Sequence, residues 1–259
     1  MGTLGLDRMI HDLEGFRGLI QDLEVNPTPA APLMLPLLNS ASADYERIIH
    51  TVEKGEPWIG GWYSTGPEIL AAMGLPWYCI GTTLLAGPSL GLADYLIDDL
   101  EECDRLAIPT DSCTLLRLAV HATAAGKVPR PTAIIGATGP CDSFALYHEA
   151  VGGLPGWRDI PMLTLDAAYW NDERSLAYGA SQLREMVSFV EEHTGRKLDM
   201  DRLREIVEET NKQYVLWAEY NELRRAVPCP HGSFVGFAAF IVTHASSTLV
   251  GSPMATAFL

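Results

Sequence analysis

Short apolar segments that alternate with helix-like segments are the feature that most constrains the fold of this chain. Nearly continuous apolar runs predict buried strands at residues 58–63, 75–80, 133–137 and 162–166. Periodicity and helix start and stop signals predict helices at 67–73, 90–104, 112–125 and 142–151. Strands that are apolar on both faces and alternate with helices form a parallel sheet that is covered on both sides. The pattern therefore predicts an α/β fold with a Rossmann- or flavodoxin-like parallel sheet and helices on both faces.

The N-terminal region precedes this alternation and is predicted to begin with a helix. Apolar residues recur at helical spacing over 3–23. Several prolines then favour an extended connector over 26–40. A second helix is predicted over 42–53, with Ser42 as its N-cap.

The C-terminal third is predicted to be mostly helical, with helices over 173–193 and 199–227. A helix-rich third after an α/β core is typical of a helical cap or of a link to another domain. The predicted organisation has three parts, which are an N-terminal helical segment and connector at 1–40, an α/β domain at 41–170, and a helical region at 171–259.

Charge and hydropathy restrict the class of partner and the compartment. The 259 residues carry a formal net charge of −15, which opposes binding to a nucleic acid or to an anionic membrane surface. No apolar run reaches the roughly 18 residues of a membrane helix, and the N-terminus does not read as a secretory signal. We therefore expect a cytoplasmic protein with five reduced cysteines that act as free thiols, metal ligands or core residues.

Two of the cysteines lie where a thiolate is chemically favoured. Cys141 directly follows the strand at 133–137 and opens a helix, and Cys113 opens the helix at 112–125. The N-terminus of a helix carries partial positive charge, which stabilises a thiolate and makes it a better metal ligand. Two such thiols at one edge of a sheet suit an iron–sulfur cluster that is held between loops.

Simpler explanations compete with each of these functional interpretations. Most single cysteines are small core residues, which is the better interpretation of Cys79 in a strand and Cys103 in a helix, whereas Cys229 is ambiguous. Ser64 and Glu68 follow the first strand, at the carboxyl end where active sites of parallel sheets lie. A carboxylate in the first helical turn is also explained by the helix dipole alone. The chain contains no phosphate-binding loop, dinucleotide fingerprint, zincin motif or nucleophile elbow.

A series of short motifs follows in a fixed order along residues 45 to 230. The motifs, in order, are Gly61-Trp62-Tyr63, Pro67-Glu68 with an Ala-rich helix that ends at Gly74-Leu75-Pro76, Asp111-Ser112-Cys113 with Arg117, Cys141-Asp142, Leu165-Asp166, and Glu191-Glu192-His193-Thr194-Gly195. This order resembles the cluster-bearing subunits of the 2-hydroxyacyl-CoA dehydratases and benzoyl-CoA reductases.

The resemblance implies a site and a chemistry. It implies a [4Fe–4S] cluster held by three cysteines, with Cys113 and Cys141 at two of the ligand positions and with Ser64 and Glu68 lining the substrate site. The fourth iron would face an acyl-CoA thioester, and an ATP-dependent activator would deliver one low-potential electron. The resulting ketyl radical would lose hydroxide in a dehydratase or accept a second electron in a reductase.

The resemblance also implies a related second subunit, so that the enzyme is a heterodimer. It places the third ligand in a second α/β domain, which the 259 residues do not include. The alternative is a scaffold or assembly subunit of the same fold without a cluster. A third hypothesis is an unrelated flavodoxin-like binding domain.

Overall fold

The computed structural model describes residues 5–62, 65–80, 95–106, 108–139, 141–166, 168, 170–230, 232, 235–236 and 246–259. The helices in these residues are α1 Leu6–Val25, α2 Ala31–Lys54, α3 Pro67–Ala72, α4 Tyr95–Cys103, α5 Thr114–Ala124, α6 Asp142–Gly153, α7 Glu173–Thr194, α8 Met200–Leu223 and α9 Pro253–Phe258. The strands are β1 Ile59–Gly61, β2 Trp77–Cys79, β3 Ala133–Ala137 and β4 Met162–Leu165.

The four strands form one parallel sheet in the order β2-β1-β3-β4. Gly60 pairs with Tyr78 of β2 on one side and with Ile134 of β3 on the other, so β1 is a central strand. Strand β4 extends the sheet beyond β3. The predicted α/β fold with a parallel sheet is therefore confirmed, and its strand order is that of the flavodoxin-like doubly wound folds.

Helices cover both faces of the sheet because alternate side chains of each strand point to opposite sides. Ile134 of β3 packs in the core that holds α1, α2, α5 and α6. Its neighbour Ile135 packs in the core that holds α3 and α7. Helix α8 then packs on α3 through Ile206 and Ala72. The site residues of α5 and α6 therefore lie on one face, and those of α3 on the other.

The predicted extended connector over 26–40 is wrong beyond residue 30, because helix α2 begins at Ala31. Pro32 lies in the first turn of α2, where a missing N–H removes no hydrogen bond, and Pro36 is accommodated inside the helix. Helix α1 packs against α2, and Leu38 and Tyr45 of α2 are almost fully buried. Ser42 is consequently a buried residue within α2 rather than an N-cap.

The remaining predicted elements match the structure within a few residues wherever they fall on described parts of the chain. Strand β3 has the predicted bounds, and Pro67 begins α3. Gly74, where the sequence predicts the end of this helix, follows α3 with φ of +67°, a left-handed conformation that is common after the last turn of a helix. The N-terminal part of the helix predicted at 90–104 lies outside the described residues. No helix in the described ranges combines the length and the apolar character that crossing a membrane requires.

Candidate functional site

The order of the strands identifies one position on the sheet where a ligand site is expected. From β1 the chain moves outward to β2 on one side, and it then returns to build β3 and β4 on the other side. In open parallel sheets, ligands bind beyond the carboxyl ends of the strands where the direction of winding reverses in this way. Here that position lies between the ends of β1 and β3, which are adjacent in the sheet.

The segment after β1 leads directly into helix α3 and sets the position of Glu68. Gly66 is the N-cap residue of this helix and has φ of +67°, a left-handed conformation that residues with a Cβ atom rarely adopt. A Cβ atom at Gly66 would also lie 3.1 Å from the sulfur of Met186 on α7. Glu68 therefore occupies the first turn of α3, as the sequence predicts, whereas Ser64 lies outside the described residues.

Glu68 has an environment that favours its protonated form. Burial raises the pKa of Glu68 above the ordinary value for a glutamate, and only its own backbone N–H acts in the opposite direction. Tyr214 of α8 lies close enough for the two groups to interact, since burial first and the charge of Glu68 second raise the pKa of the phenol. Glu68 can therefore hold a proton at a higher pH than an exposed carboxyl and donate it to a nearby leaving group.

Cys141 lies on the other side of this position, at the end of the loop after β3. It is the N-cap residue of α6, with φ of −132° and ψ of 122°, and its thiol makes no capping hydrogen bond. The Cys141 carbonyl accepts a hydrogen bond of 3.0 Å from the N–H of Phe144. The thiol is half-buried and packs against the core below α6. Its position at a helix N-terminus agrees with the sequence prediction.

Cys113 occupies the equivalent position on the neighbouring helix. It is the N-cap residue of α5, its side chain is exposed, and its thiol makes no capping hydrogen bond. Helices α5 and α6 lie side by side, with Thr123 Oγ1 and Tyr147 Oη 3.4 Å apart. Because α5 leads to the start of β3 and α6 follows its end, both helices begin at the carboxyl edge of the sheet. Cys113 and Cys141 therefore lie at the same edge of the sheet.

The other cysteines differ from these two in their surroundings. Cys79 is buried in β2 and Cys103 is buried at the end of α4, which agrees with their interpretation as core residues. Burial raises the pKa of the Cys103 thiol, so this side chain is a poor nucleophile. Cys229 is exposed. Across the described ranges, no three His, Cys, Asp or Glu side chains form a group that could hold a metal ion.

Asp166, which follows β4, is the centre of a polar network that the sequence analysis did not find. Its Oδ1 atom accepts a hydrogen bond of 2.8 Å from the hydroxyl of Thr138, and its Oδ2 atom accepts one of 2.9 Å from Tyr178. Its backbone N–H donates to the side-chain oxygen of Gln182 at 3.2 Å. The hydrogen bond to Asp166 is the main cause that raises the pKa of Tyr178. One sequence signal existed, because Tyr178 and Gln182 are four residues apart and so share a helix face.

His148 of α6 lies against the last part of β3. A Cβ atom at Gly136 would lie only 1.3 Å from Cε1 of this histidine, so the imidazole fills the space that the glycine leaves. Burial lowers the pKa of His148 to about 4, so the ring is neutral at physiological pH. Glu149, the next residue, is exposed. His148 is therefore a packing residue, and Glu149 is a surface residue.

Two comparisons with known proteins relate this chain to acyl-CoA dehydratases. A family model described as 2-hydroxyglutaryl-CoA dehydratase, D-component, matches residues 63–259. The lactoyl-CoA dehydratase subunit alpha of Anaerotignum propionicum is 24% identical over 191 residues, which cover 65% of this chain and 44% of that protein. The chain thus spans less than half the length of this relative. Glu68, Cys113 and Cys141 all lie inside the range of the family match.

Proposed function

Because the chain belongs to the family of the 2-hydroxyglutaryl-CoA dehydratase D-component, we propose that it is a subunit of an enzyme that dehydrates a 2-hydroxyacyl-CoA thioester. The observation that carries the proposal is the pair of groups on either side of the position where the winding reverses. Glu68, in a buried environment, follows β1, and Cys141, at a helix N-terminus, follows β3. Both comparisons carry dehydratase descriptions, so dehydration is preferred to ring reduction.

A [4Fe–4S] cluster is the cofactor that we propose for this subunit. The donor set supports it in part, because Cys113 and Cys141 present two thiols at one sheet edge and neither thiol is used to cap its helix. The third thiolate would come from outside the described residues. When bound, such a cluster supplies single electrons at low potential to the thioester.

The residues of this chain have separate roles in the proposed reaction. Cys113 and Cys141, at the N-termini of α5 and α6, would supply two of the cluster's ligands. Glu68, whose pKa is raised by burial, donates a proton to the departing hydroxide, which is otherwise a poor leaving group. Ser64 is proposed to line the same substrate site.

Other subunits complete the proposal. The relative is described as a subunit alpha, which supports a related second subunit as partner. An ATP-dependent activator would deliver the electron. The alternative function, a non-catalytic scaffold or assembly subunit, keeps the fold and the partner surface but binds no cluster.

Iron content tests the proposed cofactor. In protein purified without oxygen together with its co-purifying partner, we expect iron and acid-labile sulfide in the wild type, and loss of most of this iron in Cys141→Ser and Cys113→Ser. Cys229→Ser, which alters another exposed thiol, is the matched control and should retain the iron. Iron that remains in Cys141→Ser would contradict the cluster assignment, and a wild type without iron would favour the scaffold.

Substitution of Glu68 tests the proposed proton donor. Glu68→Gln keeps the shape of the side chain but removes its acidic proton. With lactoyl-CoA, the acyl-CoA named for the relative, as the trial substrate, we expect kcat to fall by about 100-fold. Because Glu68 must be protonated and burial raises its pKa, the wild-type rate should fall as the pH rises through this pKa. The exposed Glu149→Gln is the control and should keep the wild-type rate. A Glu68→Gln variant with normal kcat and an unchanged pH profile would contradict the role.

A further inference from the structure

The end of strand β3 is tied to its neighbours at the point where the loop to Cys141 begins. The last bond of the β3–β4 ladder runs from the N–H of Thr138 to the carbonyl of Leu165, at 2.9 Å. Directly beyond the ladder, the Thr138 side chain donates to Asp166. Thr138 is therefore fixed both through its backbone and through its side chain.

The loop between this fixed point and the cysteine is very short. Two residues separate Thr138 from Cys141, which is the N-cap residue of α6. Because only two residues lie between them in the sequence, we expect a shift at Thr138 to displace Cys141 as well. The position of the Cys141 thiol thus depends on what holds Thr138.

The carboxylate that holds Thr138 is itself held by helix α7. Tyr178 donates to Oδ2 of Asp166, and Gln182 accepts from its N–H one turn further along the helix. Asp166 and Tyr178 are both exposed to solvent, so each of these hydrogen bonds contributes a net stabilisation of at most about 1 kcal/mol. Both hydrogen bonds hold Asp166, and through it the start of the loop that leads to Cys141.

We infer that Asp166 is a positioning residue for Cys141, which it holds through the link from Tyr178 on α7 to Thr138 at the end of β3. The inference rests on the proposed function only in giving the Cys141 thiol the role of a cluster ligand. The hydrogen bonds from Thr138 and Tyr178 to Asp166 do not require a bound cluster.

The test measures thiol reactivity in the iron-free 259-residue chain. Each variant is treated with iodoacetamide, and alkylation of Cys141 and of Cys113 is followed by mass spectrometry in the same sample. Asp166→Ala is expected to raise the rate at Cys141 about fivefold, the equivalent of one lost hydrogen bond, and to leave the Cys113 rate unchanged. Asp166→Asn keeps an acceptor for Thr138 and should restore the wild-type rate. The alkylation rate of Cys141 in Tyr178→Phe should lie between those of Asp166→Ala and Asp166→Asn.

Two results would overturn the inference. One is an unchanged rate at Cys141 in Asp166→Ala, and the other is an equal rise at Cys113, which would indicate general loosening of the fold. Iron retention is measured separately, and a reconstituted Asp166→Ala protein should lose iron to a chelator faster than the wild type. A wild type that binds no iron would contradict the proposed function, whereas the alkylation rates would still decide the role of Asp166.

Discussion

Replacing Asp99 by alanine is expected to lower the free energy of unfolding by about 3 kcal/mol, because it leaves Arg8 and Lys127, both partly buried, without their shared counter-charge. The Asp99 side chain is 3% exposed, and its Oδ2 atom forms an ion pair with the Arg8 guanidinium of α1 at 2.7 Å. Lys127 also pairs with it, and His121 of α5 lies 3.3 Å away. This carboxylate therefore ties α4 to α1, to α5 and to the segment that leads to β3.

Urea unfolding at neutral pH measures this effect. Asp99→Asn, which keeps the shape and some hydrogen bonds, should lose less stability than Asp99→Ala. Glu102→Ala is the matched control, since it removes an exposed ion pair with Arg105 from the same helix and should change stability by about 0.5 kcal/mol or less. Equal losses in Asp99→Ala and Glu102→Ala would contradict the assignment.

The pH dependence gives a second check on Asp99. Burial alone would raise the pKa of this carboxyl, but the hydrogen bond from Lys127 and the charge of Arg8 outweigh it and lower the pKa. A carboxylate with a depressed pKa stabilises the fold at pH values above its unfolded-state pKa, and this stabilisation is lost as the pH falls through the folded-state value. The difference in stability between the wild type and Asp99→Asn should therefore shrink below about pH 4.

The parts of the fold that could be predicted from the sequence are those that local pattern determines. Strand β3 is buried on both faces, so its side chains form an unbroken apolar run with clear ends. Helix α2 was predicted to start too late because prolines favour a break locally. The burial of Leu38 and Tyr45 against α1 is a tertiary contact, and it favours a longer helix.

The same distinction applies to the candidate site. The helix N-terminal positions of Cys113 and Cys141 could be predicted, because each cysteine directly precedes a helical pattern. The electrostatic interaction between Glu68 and Tyr214 could not be predicted, since it joins helices α3 and α8, which are far apart in the sequence. No sequence pattern indicates that two residues so far apart in the chain lie close together. The sequence thus predicts which groups face the carboxyl edge, and the tertiary structure decides what surrounds them.

The contact between Gly136 and His148 is a second place where a small substitution is expected to have a large effect. Gly136→Ala should destabilise the protein by about 3 kcal/mol, because the new methyl group would overlap an imidazole that has no room to move. His148 is 5% exposed, and neither of its ring nitrogens has a hydrogen-bond partner among the described residues. The ring is therefore held by packing alone. The change in the free energy of unfolding measures the effect.

A double-mutant cycle with His148→Ala identifies the cause. If the overlap with the ring is responsible, Gly136→Ala should be at least about 1 kcal/mol less destabilising when His148 is already alanine. Gly18→Ala, at an exposed position of α1 where a Cβ meets nothing within 4 Å, is the control and should stabilise the helix slightly. Strictly additive effects of the two substitutions would contradict the explanation.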